Sequence, residues 1–94
     1  MISTSKFLNP DPDLVSALYL KFAEYCSDEM ADMLTVATIN RARSYRLRFA
    51  SNKGYSLLST KGKKLALSLT IGIAYSEVKK EYLQARAIMA RLQG

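Results

Sequence analysis

Apolar side chains recur along this chain mainly at helical spacing. Leu14, Val15, Leu18, Phe22 and Tyr25 mark a first helix over about residues 12–26. Ahead of it stands Pro10-Asp11-Pro12-Asp13, in which Asp11 can cap and Pro12 can take the first helical position. Ser27 can cap a second helix, and Asp28 and Glu29 in its first turn suit the helix dipole. Met30, Met33, Leu34 and Ala37 form its stripe, continued at shifted phase by Ile39, Ala42, Tyr45 and Phe49. The second helix therefore covers 28–44, or extends to 50.

Residues 45–58 admit two readings. Tyr45-Arg46-Leu47-Arg48-Phe49 alternates like a strand, Ser51-Asn52-Lys53-Gly54 is turn-like, and Tyr55-Ser56-Leu57-Leu58 could pair back as a short wing-like β-hairpin. Alternatively, Asn52 and Gly54 end a helix that has run through Phe49. After a cap at Ser59-Thr60 the pattern predicts one long helix over about 60–92. Its signature is a heptad seam at Ile71, Tyr75, Val78, Tyr82, Ala85, Met89 and Leu92. The rival is an α+β fold with a strand at 64–75, since Leu65, Leu67, Leu69, Ile71, Ile73 and Tyr75 also alternate strictly. Gly72 inside a helix would cost about 1 kcal/mol. The expectation is a mainly α single domain, 1–94, with Leu65–Tyr75 as its buried centre or that of a homodimer, and with Phe7 and Leu8 able to dock on the body.

Composition narrows the chemistry. Ninety-four residues, 49% of them hydrophobic, suit one modest core. No histidine is present, which removes the commonest general base and transition-metal ligand. The eight acids are scattered, and the single cysteine, Cys26, falls in an apolar stripe and reads as a structural thiol. Catalysis, a metal site and a cofactor are therefore not expected. The longest near-apolar run, Leu65–Tyr75, is short of the roughly 20 residues a spanning helix needs. With no leader pattern at Met1–Asn9, a cytoplasmic location away from membranes is the default expectation.

Charge is where the sequence speaks most clearly. Residues 1–32 carry a net −4, residues 77–94 a net +2, and residues 33–76 carry eight basic side chains with no acid. The eight are Arg41, Arg43, Arg46, Arg48, Lys53, Lys61, Lys63 and Lys64. Arginine forks suit phosphate, and Tyr45 among them could stack on a base. Lys61, Lys63 and Lys64 would fall in the first turn of the last helix, where the dipole disfavours cations unless an anion joins them. Thr60-Lys61-Gly62-Lys63-Lys64 lacks the order of a Walker A loop. These nine residues, Tyr45 included, are the candidate nucleic-acid contacts, with DNA ahead of RNA. The corresponding function is a small DNA-binding regulator or accessory factor of bacterial or phage type. The alternative is a helical interaction module, an adaptor or inhibitor, that docks on an acidic protein.

Two short segments resemble known families. Tyr55-Ser56-Leu57-Leu58-Ser59-Thr60-Lys61-Gly62-Lys63-Lys64-Leu65 resembles the end of the wing in winged-helix transcription regulators, where a strand leads into a long dimerisation helix. That resemblance implies a wing at 46–58 and reading helices within 28–44, although 27–44 is about two residues short for a helix-turn-helix. Lys79-Lys80-Glu81-Tyr82-Leu83-Gln84-Ala85-Arg86-Ala87 is similar to the last helix of double-stranded RNA-binding domains, with Leu83 where that family carries a lysine and without its Gly-Pro-x-His loop.

Overall fold

Helical periodicity governs most of the chain from Pro12 to Gln93, the span that the computed structural model describes. Helix α1 is Pro12–Ala23, α2 is Asp28–Ser51, α3 is the single turn Lys53–Ser56, and α4 is Thr60–Gln93. Among the described residues there is no strand. The lead-in with Phe7 and Leu8, and the Asp11 cap, lie outside the described residues.

The expected hairpin at 45–58 is not formed. Instead α2 continues to Ser51 and stops at Asn52, whose N–H donates to Phe49 O. The Asn52 side chain then accepts from Gly54 N at 2.7 Å and starts α3. The alternating residues 45–49 stay helical because Tyr45 and Arg46 reach α4 from there. The strand at 64–75 is likewise absent, because the seam crosses Tyr75 without a break and α4 is a single helix. Helix α1 stops at Ala23, short of residue 26, and residues 24–27 turn the chain. Ser27 caps α2 as its sequence suggests, accepting from Met30 N at 3.2 Å. Ser59 does the same for α4, accepting from Gly62 N at 3.1 Å.

Helices α1 and α2 pack antiparallel, and α4 returns antiparallel to α2. Phe22, fully buried, fills the space between Ala31, Leu34 and Val78. Around this cluster stand Tyr19, Tyr25, Met30, Tyr75 and Tyr82. Phe22 meets Tyr75 with ring centroids 5.0 Å apart, and Tyr25 meets Tyr82 at 6.1 Å. Farther along, the buried residues of the two helices are small, Thr38 and Ala42 on α2 and Thr70 and Ala74 on α4. Thr35 and Thr38 can be buried because their hydroxyls donate to Ala31 O and Leu34 O of their own helix, at 2.7 and 2.8 Å.

This packing revises the expectation for Leu65–Tyr75. Only Thr70 and Ala74 of that stretch are buried, while Leu65, Leu69 and Ile73 are exposed. Gly72 faces open space, with nothing within 4 Å of where a Cβ would stand. Gly72→Ala is therefore expected to raise stability by about 0.8–1 kcal/mol. In a thermal melt that amounts to roughly 4–8 °C for a domain of this size.

At about 1.5 Å per residue, α4 is about 51 Å long, and it sets the 53 Å long axis of the molecule. Its two ends therefore stand apart from the core. One carries the lysines and the other the end of the heptad seam.

Candidate functional site

The acid-free segment folds into the end of the molecule where α2, α3 and α4 meet, and its basic side chains divide there into two groups. The first group holds α2 to α4. Arg41 Nη1 and Nη2 donate to Glu81 Oε2 and Oε1 at 2.7 and 2.8 Å, a bidentate pair, and Glu77 lies 3.6 Å from Nη1. The Tyr45 hydroxyl donates to Glu77 Oε1. Arg46 Nε donates to Thr70 Oγ1 at 3.1 Å and Nη2 approaches Leu67 O at 3.4 Å. Burial pushes the Arg46 guanidinium pKa down from its ordinary value, though not toward neutrality near pH 7. Arg43 sits half-buried on α2.

A second group faces water at the α2–α4 turn. Arg48, Lys53, Lys61 and Lys64 are exposed, and Lys63 lies over the Tyr55 ring at 5.7 Å from its centroid. Arg48 stands 6.0 Å from the Tyr45 ring centroid, so Tyr45 carries a cation on its face as well as a carboxylate on its hydroxyl. The first turn of α4 contains no acid. The three lysines there stand at the positive end of a 34-residue helix without local compensation.

Two features of this end escape the charge pattern. One is apolar: Leu57 is 85% and Leu69 62% exposed, with Leu58 and Leu65 also open to water beside the lysines. Beside them an open groove of about 310 Å³ runs between α2 and α4, lined by Tyr45, Arg48, Phe49, Asn52, Ile73 and Glu77. The other is the pairing of Arg41 with Glu81 and Tyr45 with Glu77. Its signal was present in the sequence: two i, i+4 pairs whose members match across antiparallel helices.

The Arg41 guanidinium holds the Glu81 carboxyl below the usual glutamate range, and it does so first through the hydrogen bonds. A carboxylate with a depressed folded pKa stabilises the fold above its unfolded value, and that contribution fades as pH falls through the folded one. By NMR titration, Glu81 is expected to ionise at a lower pH than an ordinary glutamate and to return to the ordinary range in Arg41→Gln. An unchanged midpoint would mean that the pair does not persist in solution.

The Cys26 thiol donates to Phe22 O at 2.9 Å, and burial pushes its pKa up, away from the reactive thiolate. Among the described residues no group of three or more acidic or cysteine side chains could hold a metal, and no helix is long and apolar enough to cross a membrane. No family model, curated protein or solved structure matches the chain.

Proposed function

We propose that this chain binds nucleic acid by its phosphates, as a small non-enzymatic regulator or accessory factor, with duplex DNA the first polymer to test. The observation that carries the reading is the cluster of Arg48, Lys53, Lys61, Lys63 and Lys64 at one end of the rod, inside a 44-residue span without an acid. Arg41, Tyr45 and Arg46 are not counted among the contacts, because each is engaged with α4. Long cationic side chains at an exposed turn match phosphates spaced along a backbone and read no base edges, so the binding is largely independent of sequence. The test is a titration of labelled duplex and single-stranded DNA and RNA at about 50 mM salt, where electrostatic binding is strongest. Binding to none of them ends the proposal.

A second reading has its own support. Leu57, Leu58, Leu65 and Leu69 are open to water among the lysines, and a phosphate backbone would leave them uncovered. An acidic protein with an apolar centre would cover them. Leu57→Ser with Leu69→Ser separates the two readings. It should leave nucleic-acid binding intact, and it should abolish capture of a protein partner that survives nuclease treatment.

A further inference from the structure

The heptad seam does not stop where the core stops. Val78 is buried and Tyr82 half-buried against Tyr25, but the three following seam residues, Ala85, Met89 and Leu92, are exposed. With them Ile88 is open to water, and Leu92 is 76% exposed. Residues 83–93 thus form an arm of about 16 Å, beyond the cover of α1, with an apolar stripe in phase with the core. Eleven residues of isolated helix are marginal in water, so a covered stripe would hold the arm better than a bare one.

We propose that the arm is covered by the arm of a second copy, running antiparallel, so that two molecules join end to end into one rod. Three observations select this occupant and this direction. The face that carries the seam is occupied by α1 and the 24–27 turn up to Tyr82, and Arg86 Nη1 donates to Tyr25 O at 3.1 Å. A parallel partner would drive its own α1–α2 hairpin into that body, whereas an antiparallel partner needs only the arm itself. The seam spacing is also self-complementary. Centred at the level of residue 87, Ala85 faces the partner's Met89, a small residue against a large one, and the partner's Leu92 reaches the side of Tyr82 that Tyr25 leaves open. Charge sets a condition: the arm carries Arg86 and Arg91 with no acid, so two arms repel unless these cations reach acids elsewhere. The overlap brings the partner's Arg91 to the end of the molecule where Glu24, Asp28 and Glu29 are exposed.

The overlap is short, and its area falls below the roughly 1,200–2,000 Å² of a standard interface. Association is therefore in the micromolar range or weaker and depends on concentration. Two helices of 34 residues sharing about 11 make a rod of roughly 85 Å. The two lysine-bearing ends then point in opposite directions, so one dimer could bridge two binding partners. The pairing itself does not depend on what those ends bind.

Sedimentation and small-angle scattering on the full chain at about 300 μM test the proposal, at a concentration where mass action favours even a weak dimer. The expected result is a doubled mass with a maximal dimension of about 85–90 Å, set by the helix rise. Met89→Glu with Leu92→Glu should return the monomer while leaving helicity unchanged, because both residues are exposed in the single chain. A wild-type monomer at that concentration, a dimer no longer than one molecule, or a dimer that persists in the double variant would each overturn it.

Discussion

Raising salt from 50 to 200 mM is expected to weaken binding of duplex DNA by about 500-fold, from a slope of about −0.9 for each of five phosphate contacts. The contacts are Arg48, Lys53, Lys61, Lys63 and Lys64, so the logarithmic slope should lie near −4.5. Lys61→Gln with Lys64→Gln should flatten it to about −2.7, the value for three contacts. Arg41→Gln is the informative control. Arg41 belongs to the same acid-free segment, but both forks of its guanidinium are on Glu81. Its removal should leave the slope unchanged. A slope that falls equally with Arg41 and with the lysines would mean that the charge acts as a diffuse field, and the division of the site would then be wrong. A slope insensitive to Lys61 and Lys64 would remove the turn from the binding surface altogether.

That division is what the linear sequence concealed. Counting charges finds the segment, since eight cations and no acid stand between Met33 and Ser76. It does not say which cations face water. The acids that take up Arg41 and Tyr45 come from Glu77 and Glu81, just beyond the segment's boundary and on another helix. A window drawn along the chain separates residues that antiparallel packing brings together. For the same reason Arg46 reads as a surface charge in sequence and is half-buried against Thr70 in the fold.

Secondary structure was legible wherever a cap and a stripe agreed. Ser27 and Ser59 start helices where their spacing places them, and the seam through Tyr75 carries α4 across the stretch that also alternates. The ambiguity at 45–58 came from short-range alternation that tertiary contacts overrode, since Tyr45 and Arg46 reach α4 only from a helix. The burial of Leu65–Tyr75 could not be read correctly from hydrophobicity. Helix α1 is only 12 residues long and meets α4 through Phe22, near Tyr75 and Val78, while Leu65, Leu69 and Ile73 stay exposed. The buried residues of α2 and α4 there are small instead. They are Thr38, Ala42, Thr70 and Ala74, and a search for large apolar side chains passes over them.

The heptad seam contains one sequence pattern in two physical settings, and a pair of identical substitutions separates them. Val78 is 4% exposed and touches the Phe22, Ala31 and Leu34 cluster. Val78→Asp would place a carboxylate in that buried apolar cluster, at a cost of several kcal/mol. A domain of this length holds only about 5–14 kcal/mol in total, so the variant is expected to melt at least 20 °C lower or to be unfolded at room temperature. The penalty should ease in acid. Burial raises the folded pKa of the new carboxyl above its unfolded value of about 3.9, so protonation relieves the folded state as pH falls toward that range. Met89→Asp sits eleven positions on in the same seam, on the exposed arm. There the carboxylate stays in water, and its cost is limited to an acid near a helix C-terminus, about 0.3–1 kcal/mol. Circular dichroism melts of the two variants at dilute, monomeric concentration should therefore differ by more than 15 °C, from the few degrees that each kcal/mol is worth. Equal melting points would mean that the arm is packed within the single chain, and would leave the seam one continuous intramolecular core.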